Sequence, residues 1–202
     1  MPAHIVLFDL GNVVVDWQPL YLYRQLFPTE DAAREFCATV CTMGWHVQHD
    51  LGVPMADNAA ALIARYPQYE TEIKAWSARW LDMFGGYVPG VPALMARLEE
   101  ARVPLYGLSN IPAEVAERTF NAFPMIKLLR DVVVSGAEKV IKPDPRIYEI
   151  TLARMGHPAP GEVFFIDDSQ KNIDAAAALG FRTHHFTNAA QLEQALIGEG
   201  LL

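Results

Sequence analysis

The sequence predicts an α/β protein, a doubly wound parallel sheet (Rossmann-like) interrupted once by an all-helical insert. Short runs such as Ile5-Val6-Leu7-Phe8 and Val163-Phe164-Phe165-Ile166 have strand length and are apolar throughout, as strands buried on both faces are. From about residue 88 onward such runs alternate with helical patterns, the rhythm of a sheet covered on both sides. Residues 17–87 show helical patterning instead. The core is therefore assigned to residues 1–16 and 88–202, and the helical insert to residues 17–87.

The opening strand ends at Asp9, and Gly11-Asn12 let the backbone turn. Helical patterning begins near Leu20, and Phe36, Val40 and Met43 recur at helical spacing behind Glu30 and Asp31, acids that suit a helix N-terminus. Asp57 is the expected N-cap of a helix through Leu62, Ile63 and Tyr66 that Pro67 ends. Ile73, Trp76, Trp80 and Met83 form an apolar stripe, read as core packing. Gly85-Gly86 and Pro89-Gly90 then break the chain. Beyond them come a helix from Pro92 to Ala101, a strand over Pro104–Leu108 ending at Ser109-Asn110, and a helix from Ala113 to Phe120. A β-branched strand Val132–Val134 follows, then a helix starting at Asp144 and stopped by Gly156. The strand Val163–Ile166 ends in Asp167-Asp168, a helix runs from Asn172 to Leu179, and Arg182–Phe186 is the last strand.

Composition narrows the function. Sixteen basic and 24 acidic side chains give a formal charge of −8, which supplies no basic surplus for a nucleic-acid backbone. No apolar stretch approaches the roughly 18 residues of a membrane span, and no secretory leader is visible. The expectation is a soluble cytoplasmic protein, monomer or homodimer, with a small molecule as its partner. Cys37 and Cys41, four apart on an expected helix, read as buried thiols. His184 and His185 adjoin on a strand, point to opposite faces and do not share a metal.

In an open parallel sheet, ligands bind at the carboxyl ends of the strands. Asp9, Ser109 and Asp167-Asp168 all end strands, and Lys142 precedes a helix whose start faces the same edge. Three carboxylates, a lysine and a hydroxyl suit Mg²⁺-assisted phosphoryl transfer. The acids supply hard oxygen ligands, Lys142 and Ser109 hold phosphoryl oxygens, and one acid attacks phosphorus.

Four motifs occur in order: Phe8-Asp9-Leu10-Gly11-Asn12, Leu108-Ser109-Asn110, Ile141-Lys142-Pro143-Asp144 and Phe165-Ile166-Asp167-Asp168-Ser169 with Asn172. With them the chain resembles the haloacid dehalogenase superfamily over essentially its whole length, most closely the phosphatase-like branch with a helical cap. The resemblance implies that Asp9 is the nucleophile and a metal ligand. Ser109 and Lys142 then hold the phosphoryl group, with Leu10 and Asn110 beside it. Asp168 is the later metal-binding acid, Asp167 its helper or second ligand, and Asn172 stands where relatives often carry an acid that holds a metal-bound water. The insert would close over the site and select the substrate.

One position departs from the pattern. Most phosphatases of the superfamily carry a second Asp two residues after the nucleophile as general acid and base; here it is Gly11. Gly11 still offers its backbone carbonyl to a metal, and a related branch with the same Asp-Leu-Gly-Asn opening is described as a sugar-phosphate phosphatase. Asp16, His46 and Asp50 are candidates for the missing acid, although a turn role for Asp16 and a buried structural role for His46 are the stronger expectations. The resulting expectation is a Mg²⁺-dependent phosphatase of a small phosphorylated metabolite, with a sugar phosphate as one option. The alternatives are a 2-haloacid dehalogenase and a catalytically weak metal- and phosphate-binding protein.

Overall fold

The computed structural model describes residues 3–202. Its main sheet has five parallel strands, β1 (Ile5–Phe8), β4 (Leu105–Ser109), β5 (Val132–Val134), β6 (Val163–Asp167) and β7 (Arg182–His185), in the order β5-β4-β1-β6-β7. β1 is central and pairs with β4 on one side and β6 on the other. Alternate residues of β1 serve opposite cores. Val6 and Phe8 pack with Val91, Leu94 and Leu98 of α6 (Val91–Glu100) and with Leu192 and Leu196 of α11 (Ala189–Gly198). Ile5 and Leu7 pack with Ile147 and Tyr148 of α9 (Pro145–Arg154) and with Ile173 and Ala176 of α10 (Gln170–Ala178). Burial on both faces is why these strands read as unbroken apolar runs.

The sequence between β1 and α6 builds α1 (Pro19–Tyr23), α2 (Glu30–Thr39), α3 (Met43–Asp50), α4 (Met55–Arg65) and α5 (Glu70–Ala78). Thr29 and Thr42 cap α2 and α3, their side chains accepting from Ala32 N and Trp45 N. Leu22, Tyr23, Phe36, Ile73, Trp76, Trp80 and Met83 form a core of their own. It closes against Ile111, Val115 and Ala116, the last two on α7 (Ala113–Ala122).

Several local expectations are corrected. The two ends of residues 17–87 are not helical: β2 (Val15–Trp17) pairs antiparallel with β3 (Phe84–Tyr87). Gly85 sits within this ribbon because any Cβ there would run into the Asp16 carboxylate and the Tyr21 ring. Met43 does not continue the Phe36–Val40 stripe but opens α3 and is exposed. Asp57 is in the first turn of α4, whose N-cap is Pro54. Cys41 lies beyond α2 and is buried while Cys37 is half-buried; both are free thiols that burial pushes up to about 12 and about 11. A short helix α8 (Ser135–Glu138) and the terminal α11 were not anticipated.

Candidate active site

Asp9 leaves the end of β1 at the centre of the sheet and is only 8% exposed. The amide of Leu10 donates to its Oδ1 at 2.6 Å. The chain turns at once, with the amides of Val14 and Val15 both donating to the Leu10 carbonyl at 2.9 Å. Asn12 sits in the left-handed region (φ 56°), which asparagine tolerates better than most residues, and its Oδ1 accepts from Trp17 N. This tight loop holds the Asp9 carboxylate in place.

Lys142, 3% exposed, reaches in from the loop before α9. Its Nζ lies 2.9 Å from Asp9 Oδ1 and donates to Asp167 Oδ2 at 2.6 Å and to the Leu108 carbonyl at 3.0 Å. An ammonium has three protons, and here each has an oxygen to face. Burial opposes the Lys142 charge, but Asp9 and Asp167 outweigh it and its pKa is raised. Burial pushes the Asp9 carboxyl well up; Lys142 works against that and Asp167 adds to it. Lys142 thus orients Asp9 and offsets its charge. The phosphoryl contact expected of it would require exchanging one of these bonds.

Asp167 is fully buried and saturated. Asn172 Nδ2 donates to both its oxygens (2.9 and 3.0 Å) and Ser169 N to its Oδ1 at 2.8 Å. Its oxygens therefore have little left to offer a metal, and Asn172 supports Asp167 instead of presenting itself to the site. Asp168 is the most exposed of the three acids; partial desolvation and then Asp167 raise its pKa, while Lys142, and to a smaller extent Asn12, work against the rise. One oxygen each of Asp9, Asp167 and Asp168 fall within 4.8 Å of one another. With Asp167 engaged, the Asp9 and Asp168 carboxylates are left as hard oxygen donors that fit a divalent cation.

Ser109 ends β4, beside β1, and lines a cavity of about 50 Å³ with Leu10, Gly11 and Asn110. Asn110 is engaged elsewhere: its amide bonds the Lys142 backbone in both directions, at 2.9 and 3.1 Å, and so joins two of the four motifs. The cavity's other walls are Val15, Trp17, Trp80, Phe84, Ile111, Thr119 and the imidazole-bearing His46. Trp17 and Asn12 received no role from the sequence. Asn12 stood inside the first motif, but only the folded loop shows its Oδ1 accepting from Trp17 N. Asp16 is occupied at 2.5 Å by the Tyr21 hydroxyl.

The family profile of haloacid dehalogenase-like hydrolases matches residues 3–180. The chain belongs to this family. It is similar to a "Phosphorylated carbohydrates phosphatase" of Thermotoga maritima, with 24% identity over 87% of this chain and 81% of the relative. A haloacid dehalogenase family enzyme from Bacteroides thetaiotaomicron has the same fold, with a TM-score of 0.75 and 21% identity over 97% of this chain and 99% of that one. That enzyme has also been solved in complex with magnesium and inorganic phosphate, a structure that matches at a TM-score of 0.70 and 21% identity over 92% and 95% of the two chains. L-2-haloacid dehalogenase of Xanthobacter autotrophicus shares the fold too, at a TM-score of 0.68 and 16% identity over 99% and 84%. The fold of the family thus carries hydrolysis at phosphorus and at carbon, and the site chemistry must separate them. Among the described residues, no helix is long and apolar enough to cross a membrane.

Proposed function

We propose that this hydrolase is a Mg²⁺-dependent phosphatase of a small phosphate monoester, with Asp9 as nucleophile. The observation that carries the proposal is the convergence of Asp9, Asp167 and Asp168 on one point beside a single lysine. A haloacid is itself a carboxylate, and an anion has little reason to enter such a site without a cation to offset the acids. Asp9, Asp168 and the Gly11 carbonyl would hold Mg²⁺, with Asp167 serving through Lys142. The cation, when bound, neutralises charge on the phosphoryl oxygens and favours the ionised form of Asp9.

Asp9 attacks phosphorus, the bond to the ester oxygen breaks, and the phosphoryl group is carried on the Asp9 carboxylate until water releases it. Lys142 holds the nucleophile in place, and Ser109 donates to a phosphoryl oxygen. The helical insert, residues 17–87, acts as the lid that selects the leaving group. The likeness to a carbohydrate phosphatase favours a sugar phosphate among small substrates.

An aryl phosphate assayed with and without Mg²⁺, on wild type and Asp9→Asn, tests this. Metal-dependent turnover that the substitution lowers by about 10⁴ or more is expected, since the nucleophile itself is lost. Mg²⁺ binding without turnover would favour a binding protein, and turnover of a 2-haloacid without metal a dehalogenase.

A further inference from the structure

Gly11 leaves the site without an obvious group to protonate the departing oxygen. A Cβ built on Gly11 would meet nothing within 4 Å, so the space beside it is open. Gly11 also lines the small cavity walled by Leu10 and Ser109, and His46 of α3 contributes to the same cavity's wall. A cavity of about 50 Å³ holds a few waters or one group of phosphoryl size, which brings any occupant close to every wall.

His46 is 3% exposed and fixed in place: Trp17, Trp76 and Trp80 surround its ring at centroid distances of 5.1, 5.2 and 5.9 Å. Its Nδ1 is buried and has no partner in the protein. A buried ring nitrogen left unpaired, whether donor or acceptor, costs free energy unless a ligand supplies the partner. One turn further along α3, Asp50 places Oδ2 3.4 Å from His46 Nε2; Asp50 is 4% exposed and its Oδ1 is also unpartnered. His49 on the same helix and Lys142 from the core are the other titratable groups felt by this pair.

We propose that His46 is the general acid and base of this enzyme, with Asp50 as the positioning residue that holds its second proton. The inference rests on the phosphatase function proposed above. As the phosphorus–oxygen bond of the ester breaks, His46 gives its Nδ1 proton to the leaving oxygen and takes the Asp50 carboxyl proton on Nε2. When water attacks the phosphoryl group on Asp9, its proton goes to Nδ1 and the Nε2 proton returns to Asp50. Each turnover restores both groups, and no imidazolium is needed in the aromatic surround. Burial suits this starting state, holding His46 down at about 3 and Asp50 up at about 8, so that the imidazole is neutral and the carboxyl protonated.

The test compares wild type, His46→Gln and Asp50→Asn, each checked for folding by circular dichroism, on 4-nitrophenyl phosphate and on a primary alkyl phosphate with Mg²⁺. A nitrophenolate leaves without an acid, so its burst should persist within about threefold, whereas alkyl turnover should fall about 100-fold or more. The phosphoryl group should then accumulate on Asp9, seen by mass spectrometry, because the second step has lost its base. Adding Gly11→Asp to His46→Gln puts a carboxyl in the open space and should restore alkyl turnover. An unchanged ratio of alkyl to aryl rates in the first, phosphorylation step of folded His46→Gln would overturn the proposal, as would loss of the aryl burst together with alkyl turnover. Asp50→Asn carries the same comparison if His46→Gln does not fold. Failure of the underlying phosphatase function looks different: wild type itself would hydrolyse neither ester.

Discussion

Asp50 carries a proton into the folded state that the unfolded chain releases far earlier. Burial lifts its carboxyl from 3.8 to about 8, against the pull of Lys142. A group raised on folding stabilises fully below its unfolded pKa and loses that contribution as pH rises through the folded value, here between about 4 and 8. His46 has the opposite sign, since its contribution is present above 6.5 and lost as pH falls toward about 3. Comparing wild type with Asp50→Asn isolates the first effect. The stability of wild type relative to the variant should fall by about 1.4 kcal/mol per pH unit between pH 5 and 7, measured by urea denaturation in matched buffers. A pH-independent difference would mean that Asp50 is ionised in the folded protein. That Asp9, Lys142, Asp167 and Asp168 meet at the sheet edge was legible in the sequence because each follows an apolar run or precedes a helix there. His46 and Asp50 were visible only as candidates for the missing acid, beside Asp16. Which face of α3 turns inward is settled by Trp17, Trp76 and Trp80, residues far from it in the chain.

At the scale of elements, the helical insert is joined to the sheet domain through a buried hydrogen bond as well as through apolar packing. Trp80, in the turn after α5, donates its indole N–H to Thr119 Oγ1 on α7 at 2.9 Å, and that hydroxyl donates in turn to Val115 O. Thr119→Val keeps the shape and strands the indole donor, at a cost of about 1–3 kcal/mol. Urea unfolding should show a lowered midpoint with an unchanged slope, and Thr119→Ser should recover most of the loss. A neutral Thr119→Val would mean that the indole finds another partner. The strands of the main sheet were readable because both their faces are buried, which removes any ambiguity of period. β2 and β3 were not, since a two-stranded ribbon leaves one face open and Gly85-Gly86 carry no side chains to show alternation. α11 shows the reverse case: Asn188 caps it and Leu192 and Leu196 recur four apart, a helical pattern that the sequence carries beyond the last strand.

For the molecule as a whole, the site is a place where negative charge has been gathered within a chain that already carries −8. Lys142 offsets only part of that charge, and a cation bound there would offset the rest, so metal binding and stability should be linked. With Mg²⁺ at about 100 times its dissociation constant the folded state gains about 2.7 kcal/mol. For a chain of this length that corresponds to a rise in Tm of about 5–10 °C, reversed by a chelator. Asp168→Asn should abolish most of the rise, because it removes the exposed carboxylate not already bonded to Lys142. Asp174→Asn, one turn into α10 and bonded to Gln170, should leave it intact. The pair of variants separates a site from an atmosphere: both carry one carboxylate fewer, and only one of them lies in the cluster. Equal Mg²⁺ shifts in the two would assign the stabilisation to diffuse screening of an acidic surface, and with it remove the metal from the mechanism. A shift lost in Asp168→Asn alone would tie the cation to the point where Asp9, Asp167 and Asp168 meet.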